Sequence, residues 1–237
     1  IPRYLSHLLK LYIQIRQSRG KHYKFPSAIK FSKPLPEIYD PQIESGSASG
    51  HYYHQDLLVA NKIFKKSPKV HLDIGSRIDG LISHLLSFEQ KLLVGDIRPL
   101  NIKNQNCEFI QINLLDENEC SKLQKFASIS CLHAIEHMGL GRFGDPIDYL
   151  GHLKAINNLS KLLSKGGTLY LSHPVGQKGR IQFNAHRIIS LGEALETFKN
   201  CDLKVDEFSY VDDKGDLNKV DDLKNIDYKN SFYLRHG

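Results

Sequence analysis

The sequence predicts an α/β fold: a doubly wound, mostly parallel sheet of seven strands with helices on both faces, preceded by a basic N-terminal arm. Two observations lead to this prediction. From Val70 onward, short apolar segments alternate with segments of helical periodicity, which is typical of a parallel sheet covered by helices. Before that point, one helical stretch is followed by a connector rich in proline and serine, which indicates an arm that is partly helical and partly extended.

Composition narrows the class of protein. The chain has 237 residues, 41% hydrophobic and 24% charged, which suits one large or two small globular domains. No apolar run approaches the roughly 20 residues that cross a bilayer, and the N-terminal segment lacks the small-residue cleavage site of a signal peptide. The four cysteines form no CxxC pair, which argues against a disulfide framework or a structural zinc site and predicts a reducing, cytoplasmic setting.

Positive charge is concentrated near the N-terminus. Residues 1–70 hold 12 Lys and Arg against 4 Asp and Glu, whereas residues 71–237 hold 20 against 22. The body of the protein is therefore not expected to bind nucleic acid. The segment 1–50 has two interpretations: a solvated basic arm, or an arm in peripheral contact with an anionic carrier lipid or with the inner face of a membrane.

Hydrophobic periodicity divides the chain into this arm and a domain, residues 51–237. In the arm, residues 4–17 place five apolar side chains on one helical stripe: Leu5, Leu8, Leu9, Tyr12 and Ile13. In the domain, helices are predicted at 54–66, 79–88, 117–125, 150–164 and 190–199. Strands are predicted at 70–74, 91–95, 108–112, 127–132, 168–172, 203–211 and 231–235, the last two forming a hairpin at one edge.

The first predicted strand runs into the sequence HLDIGSRIDG, residues 71–80. Ligands of open parallel sheets bind beyond the carboxyl ends of the strands, so this loop should face the site. A dinucleotide fingerprint needs a glycine where Arg77 stands, so NAD or FAD would fit poorly. S-adenosylmethionine (SAM) carries no phosphate. It needs one closely approaching glycine and a carboxylate for its amino group, which Gly75 and Asp73 would supply.

Acidic residues end the next two predicted strands as well. Asp96 follows the second strand, where it is placed to accept hydrogen bonds from both ribose hydroxyls. Asp116 follows the third strand and is expected near the adenine. Each acid taken alone is more typical of a helix N-cap or a turn, but acids at three consecutive strand ends favour a nucleoside site.

The segments HLDIGS, GD, NLLD, ISCLHAIEHM and LSKGGTLYLSHP, within residues 70–211, resemble the class I SAM-dependent methyltransferases, which have a Rossmann-like fold. That superfamily often has Leu-Glu-His after its fourth strand and Lys-Pro-Gly-Gly after its fifth, which here read Ile-Glu-His at 135–137 and Ser-Lys-Gly-Gly at 164–167. Arg77 and Asp79 replace the second and third glycines of its loop. The resemblance implies SAM as the cofactor, with these contacts: Asp73, Gly75, Ser76, Arg77, Asp96, Ile97, Asp116 and Leu132.

A closer resemblance is to a bacterial family known only as domain of unknown function 268. It rests on HYYHQDLLVANKIF, HLDIGSRIDG, DIRPL, HAIEHMGLGRFGDPID and FNAHRI, and spans roughly residues 50–211. The family is methyltransferase-like and tends to occur with surface-polysaccharide biosynthesis. The resemblance implies a fold and a biosynthetic setting rather than one particular reaction.

Two histidine-rich segments, CLHAIEHMGLGRFGDP and SHPVGQKGRIQFNAHR, follow predicted strands and should open into one crevice. Methyl transfer to oxygen needs a base near the acceptor hydroxyl, which a neutral histidine can provide. His133, His137 and His186 are the candidates, although in related methyltransferases the histidine that corresponds to His137 often has a packing role. Guanidinium groups bind phosphate or carboxylate bidentately. Arg142 and Arg187 could therefore bind such a group on the acceptor, or could instead form ion pairs with Asp145 or Asp148. The predicted acceptor contacts are Arg142, Asp145, His173, Asn184 and Arg187, with Tyr53 and His54 in a segment that forms either an aromatic lid or packing at the sheet edge.

The same segments leave other chemistries open. His133, Glu136, His137, Asp145, His173 and His186 include enough ligands for a divalent metal, although a zinc peptidase would need its HxxEH motif on a helix. The leading prediction is a cytoplasmic SAM-dependent methyltransferase that O-methylates a sugar of a surface polysaccharide or its precursor, with a sugar, nucleotide sugar or lipid-linked glycan as acceptor. The alternatives are a scaffold component of glycan assembly that keeps the fold but not the activity, and a metal-assisted transferase or lyase.

Overall fold

A computed structural model of the chain describes residues 2–18, 46 and 48–221. The chain separates into two compact units between Ser47 and Ala48. In the first unit, α1 (Pro2–Ser18) is an amphipathic helix, in agreement with the predicted helical stripe. Most of the predicted connector and the predicted strand 231–235 lie outside the described residues, and the domain boundary at residue 50 stays a prediction.

The second unit is built on a parallel sheet of five strands in the order β3-β2-β1-β4-β5. The strands are β1 (His71–Ile74), β2 (Leu92–Asp96), β3 (Cys107–Gln111), β4 (Phe126–Leu132) and β5 (Leu163–Ser172). All four neighbouring pairs are parallel. Strand order reverses between β1 and β4, so the loops that follow these two strands open into the same crevice.

Helices cover both faces of the sheet, as the alternating pattern predicts. They are α2 (His51–Lys66), α3 (Ser83–Ser87), α4 (Glu117–Ser121), α5 (Gly151–Leu162) and α6 (Leu191–Asn200), with a π-helical turn at Ile78–Ile82. Two buried apolar clusters result. One joins α2 and α3 to the sheet, and the other joins α4, α5 and α6 to it. The α/β architecture, doubly wound with a parallel sheet, is therefore confirmed.

The number of strands in the main sheet differs from the prediction. Within the described residues the sheet has five strands and not seven. The predicted strand 203–211 is reduced to β9 (Phe208–Val211), which pairs with β10 (Leu217–Val220) in a separate antiparallel hairpin. A tight turn joins them, in which Asp212 accepts the backbone N–H groups of Lys214 and Asp216. The sequence LNKV is too short and too polar to predict β10.

A small three-stranded sheet follows β5 and was not predicted. It consists of β6 (Val175–Gly176), β7 (Arg180–Gln182) and β8 (His186–Ser190), in the order β6-β8-β7. Two of these strands have only two or three residues, which is too few to give a periodic signal. The sheet carries His186 and Arg187 toward the loop that follows β4, because the N–H of Arg187 donates to the carbonyl of Glu136 at 2.9 Å.

Candidate functional site

A cleft lies at the carboxyl ends of the strands and is lined by residues from both sides of the switch point. The loops after β1 and β2 contribute one wall, which includes Gly75, Arg77, Asp96 and Ile97. The opposite wall consists of residues that follow β4 and β5 or lie on β8, and it includes His133, Glu136, His137, Arg142, His173 and His186. We call these walls the cofactor side and the acceptor side.

Gly75 brings the two walls into contact. Its φ is +74°, and its N–H donates to the carbonyl of Gly95 at 2.9 Å. A Cβ at this position would lie 2.9 Å from the Cβ of Ala134, which is closer than carbon atoms normally approach. Both the backbone conformation and the contact with the loop after β4 therefore require a glycine.

Asp73 is fully buried beneath this loop. One carboxylate oxygen accepts the hydroxyl of Ser76 at 2.7 Å and the hydroxyl of Ser130, and the other accepts the N–H of Ser76 at 3.3 Å. His71 extends the network, with ring nitrogens 2.8 Å from the hydroxyls of Ser128 and Ser130. Burial raises the pKa of Asp73 to about 6 and lowers the pKa of His71 to about 3.

This geometry differs from the predicted role of Asp73. A carboxylate that is 0% exposed and occupied by two serines does not reach a ligand in the cleft. Asp73 instead fixes the loop that contains Gly75 and Ser76, and Ser76 likewise binds Asp73 rather than projecting to a cofactor. Arg77 does reach the cleft, but it forms a bidentate pair with Asp79, with nitrogen–oxygen distances of 3.0 and 2.8 Å.

Asp96 lies at the end of β2, at the wall of the cleft, as predicted. Its carboxylate accepts three hydrogen bonds from Arg98, through the backbone N–H at 2.8 Å, Nε at 2.9 Å and an η-nitrogen at 2.8 Å. The Arg98 guanidinium also lies 4.5 Å above the centre of the Phe143 ring. A ribose at Asp96 would therefore share this carboxylate with Arg98 or displace it.

Asp116 is the N-cap of α4 and not a residue of the cleft wall. Its side chain accepts the N–H of Asn118 at 2.8 Å and that of Glu119 at 3.2 Å, as is usual for a capping carboxylate. The predicted contact with adenine is therefore replaced by a structural one. The apolar residues near this end of the cleft are Ile97, Ile112, Leu114 and Leu132.

On the acceptor side, His133 and Glu136 form a close pair. Nδ1 of His133 lies 3.1 Å from Oε1 of Glu136, whose side chain is only 2% exposed. The other carboxylate oxygen, Oε2, is buried without a hydrogen-bond partner. Nε2 of His133 has no partner among the described residues. His133 also has a φ of +49°, which is unusual for a residue with a side chain and typical of functional sites.

Backbone and side-chain contacts hold His133 in this conformation. Its N–H donates to both the carbonyl and the hydroxyl of Ser172, at 3.1 and 3.0 Å. The hydroxyl of Ser172 donates to Gln55 on α2 at 2.7 Å. The rings of His51 and Tyr52, with centroids 4.6 and 5.5 Å away, pack against the imidazole. The strained residue is therefore fixed by β5 and by the first turns of α2.

The other two candidate bases differ from His133 in their partners. Nδ1 of His137 lies 2.6 Å from the carbonyl of Ala185, and its Nε2 lies 3.6 Å from Oε1 of Glu136. Burial lowers the pKa of His137, which favours the neutral ring. His186 packs 6.4 Å from His137, and its Nε2 is buried without a partner. Glu136, which the sequence suggested only as a metal ligand, is thus shared by two histidines.

The predicted acceptor contacts separate into two groups. Arg142 is exposed at the cleft, donates to the carbonyl of Ala185 at 3.0 Å and lies 5.0 Å above Phe143. Asp145, in contrast, accepts the N–H groups of Gly139, Gly141 and Phe143. It shapes the loop rather than offering a free carboxylate. The alternative interpretation paired Arg142 or Arg187 with Asp145 or Asp148. Neither ion pair forms, and Asp148 pairs with Lys154 instead.

Arg187 was predicted to contact the acceptor, and the structure corrects this prediction. It is 2% exposed, and its guanidinium donates to the carbonyls of Met138, Asp148 and Tyr149 at 2.5, 3.0 and 3.3 Å. Because both η-nitrogens are bonded to backbone carbonyls and the residue is buried, the guanidinium is not presented to an acceptor phosphate. It joins β8 to the loop that runs from β4 to α5 and thereby fixes the acceptor side of the cleft.

Only the residues on one face of α2 line the cleft. His51, Tyr52 and Gln55 line it, whereas Tyr53 and His54 do not; those two rings pack edge-to-face against each other at 5.2 Å. The residues of α2 that line the cleft are therefore neighbours of the predicted ones, and a lid formed by this segment stays a prediction. His173 lines the cleft, with Nδ1 3.1 Å from the carbonyl of Pro174, and Asn184 is exposed outside it.

Some of the predicted metal ligands lie close together around Glu136, but they are not arranged as a metal site. In the part of the chain that the structure describes, no group of three or more His, Cys, Asp or Glu side chains is arranged to hold a metal ion. The described residues also contain no helix that is long and apolar enough to cross a membrane.

The cofactor side fits the adenosine part of SAM by its chemistry. Ile97, Ile112 and Leu132 offer apolar surface for a base, and Asp96, which is 15% exposed, offers a carboxylate for ribose hydroxyls. The amino group of the methionine tail would need a partner other than Asp73. The buried, unpartnered Oε2 of Glu136 on the opposite wall shows that the polar groups of the cleft are not all satisfied within the chain.

Comparison with known sequences gives one family match. The family model described as "Caenorhabditis protein of unknown function, DUF268" matches residues 83–196. This agrees with the family inferred from the sequence, although the description names Caenorhabditis and not bacteria. The match begins after the glycine loop and spans less than half of the chain. No curated protein matches the chain in sequence.

Comparison with solved structures gives methyltransferases. The 1,6-didemethyltoxoflavin N1-methyltransferase of Burkholderia thailandensis, solved with S-adenosylhomocysteine, is 14% identical over 70% of this chain and 75% of its own, with a TM-score of 0.51. An O-methyltransferase family protein of the same organism is 11% identical over 69% of this chain and 60% of its own, with a TM-score of 0.47. The chain thus spans less than two thirds of that second protein. At this level of identity the likeness shows the fold alone, which is the Rossmann-like fold of the first protein.

Proposed function

We propose that the protein is a SAM-dependent methyltransferase that O-methylates a sugar of a surface polysaccharide or its precursor. The observation that carries the proposal is the His133–Glu136 pair, which lies in a cleft shared with Asp96 on a methyltransferase fold. The family resemblance supports the glycan setting. The acceptor would be a sugar, a nucleotide sugar or a lipid-linked glycan. A cytoplasmic setting is supported by the four cysteines, which are all free thiols, three of them buried in the protein.

The roles of the residues follow from their contacts. Nδ1 of His133 bonded to Glu136 leaves Nε2 as the atom that accepts the proton of the acceptor hydroxyl, and Glu136 stabilises the imidazolium that forms. SAM, when bound, supplies an electrophilic methyl group. Arg142 offers a guanidinium to a negatively charged acceptor. Orienting the hydroxyl toward the methyl group is the larger part of such catalysis.

A second candidate function rests on the pairs Arg98–Asp96 and Arg77–Asp79. Both ion pairs occupy groups on the cofactor side that a nucleoside would contact. If they are permanent, the protein keeps the fold and acts as a binding component of glycan assembly.

Isothermal titration with SAM and with S-adenosylhomocysteine separates the two functions. Binding of either compound at a Kd in the micromolar range, about −8 kcal/mol, supports the methyltransferase. No binding of either compound at millimolar concentration would overturn it and leave the scaffold. A positive result leads directly to an acceptor screen with sugars, nucleotide sugars and lipid-linked glycans, read out as formation of S-adenosylhomocysteine.

A further inference from the structure

Helix α1 carries an exposed apolar stripe. Leu5, Leu9, Tyr12 and Ile13, at helical spacing, are 55%, 60%, 52% and 44% exposed. Large apolar side chains on one helical face are normally buried against another element, because their transfer out of water is favourable. A stripe of four such residues on one helix indicates a surface that binds something.

The charge of the same helix selects the partner. Residues 2–18 contain Arg3, Lys10 and Arg16 and no Asp or Glu. Lys10 and Arg16 are exposed. An anionic lipid surface complements a helix with apolar and exclusively basic side chains, because the apolar stripe enters the boundary between headgroups and acyl chains while the basic groups contact lipid phosphates. A protein groove would satisfy the apolar stripe but would not explain the absence of acids.

We infer that α1 binds the surface of an anionic bilayer, lying in its plane. This inference does not depend on methyl transfer, although a membrane-bound chain would meet a lipid-linked acceptor at its source. Each basic residue near an anionic surface strengthens binding by about fivefold, and burial of the leucines adds the rest.

Vesicle binding by the full chain provides the test. Leu9→Glu and Gln14→Glu each lower the helix charge by one, but only Leu9 belongs to the apolar stripe. Wild-type protein is expected to bind phosphatidylcholine vesicles that contain phosphatidylglycerol and to bind pure phosphatidylcholine much more weakly. Gln14→Glu should lose about fivefold in affinity, whereas Leu9→Glu should lose at least about fiftyfold because it also removes a buried leucine.

Three results of the vesicle assay would overturn the inference: no binding of wild type to anionic vesicles, equal binding to both kinds of vesicle, or equal losses in the two variants. A lipid-free dimer in sedimentation that Leu9→Glu converts to a monomer would also overturn it, since the stripe would then belong to a second copy. Titration of the same variants with SAM keeps this test separate from the proposed function, because SAM affinity should not change in either variant.

Discussion

The two walls of the cleft differ in how far their polar groups are satisfied within the chain. On the cofactor side, Asp73 is held by serines, and Asp96 and Asp79 are held by arginines. On the acceptor side, Oε2 of Glu136 and Nε2 of His186 are buried without partners, and Nε2 of His133 has none among the described residues. The polar groups named on the cofactor side all have partners within the chain, whereas those named on the acceptor side include atoms without a hydrogen-bond partner.

This difference teaches where a ligand would change the energetics of the protein. A buried polar group without a partner costs about 1–3 kcal/mol, a cost that Oε2 of Glu136 and Nε2 of His186 carry within the folded protein. Nε2 of His133, whose side chain is 14% exposed, can instead accept a hydrogen bond from a ligand. The acceptor side therefore stands to gain new contacts on binding, whereas the cofactor side would exchange existing ones. Four predictions break or sharpen this comparison.

The largest expected effect is on the acceptor side. His133→Ala should lower the rate of methyl transfer by about 10²–10⁴-fold, because the acceptor hydroxyl loses its base. Glu136→Gln keeps a hydrogen-bonding side chain but removes the charge, and should lower kcat by a smaller factor without changing KM. Both are measured as S-adenosylhomocysteine formation with an acceptor found in the screen. Unchanged kcat in His133→Ala would assign the base elsewhere, with His137 and His186 next to be tested.

Gly75 tests whether contact between the walls matters for stability. Gly75→Ala and Gly166→Ala both place a side chain at a φ near +75°, but only the former meets another atom, the Cβ of Ala134 at 2.9 Å. Gly166→Ala should lower the free energy of unfolding by about 1 kcal/mol, and Gly75→Ala by about 2 kcal/mol more because the loops must separate. Urea unfolding measures both. Equal losses would show that the loops move apart freely.

Asp96 tests whether the cofactor side exchanges one set of hydrogen bonds for another. Asp96→Ala should weaken SAM binding by about tenfold to a hundredfold, as expected for hydrogen bonds to a charged group. Asp116→Ala should leave SAM affinity unchanged and lower the free energy of unfolding by about 1 kcal/mol through the lost N-cap.

Arg98→Ala completes that comparison. It should tighten SAM binding by up to about fivefold, the value of an exposed ion pair that no longer has to be broken. Isothermal titration measures all three variants. Weaker binding by Arg98→Ala would mean that the guanidinium contacts the cofactor itself, and unchanged binding by Asp96→Ala would refute the placement of the ribose.

The smallest expected effect is the change in the free energy of unfolding with each pH unit that arises from Asp73 and His71, the buried network beneath the glycine loop. The pKa of Asp73 is raised from 3.8 to about 6, so the folded state binds the extra proton between these values and stability falls as pH rises. The pKa of His71 is lowered from 6.5 to about 3, so the unfolded state binds the extra proton and stability rises with pH. Between about pH 4 and 6 the two slopes, each about 1.4 kcal/mol per pH unit, oppose each other.

Removing one group should expose the slope of the other. Relative to wild type, the unfolding free energy of Asp73→Asn should rise with pH more steeply by about 1.4 kcal/mol per unit from pH 4 to 6, and that of His71→Asn should rise less steeply by the same amount. Chemical denaturation at several pH values measures this. Parallel curves for wild type and both variants would mean that neither group changes protonation on unfolding.

The sequence predicted the location of the cleft better than it predicted which polar side chains are free to bind a ligand. Alternation of strands and helices was enough to place Asp96 and His133 at strand ends near a switch point. The pairing of Asp73 with Ser130, 57 residues away, depends on the neighbour that β1 has in the sheet, and no local pattern reports it. Arg187 was misassigned for the same reason, because its partners lie on a loop 38 to 49 residues earlier.

Two other differences did have local signals. Asp116 is followed three residues later by Glu119 at the start of a helical segment, which is a capping pattern, and this favoured the N-cap over the adenine contact. His133 and Glu136 are three residues apart in a turn, a spacing that allows their side chains to meet.

The bonds of Arg187 bear on how proteins of this architecture diversify. It grips main-chain oxygens of residues 138, 148 and 149, which every amino acid possesses, and leaves the exposed side chains of Ile147 and Tyr149 uncommitted. Substitution of these two side chains would thus alter the surface of the loop without loosening its attachment to Arg187. A chain that keeps this arginine could therefore exchange those two side chains while the loop stays in place.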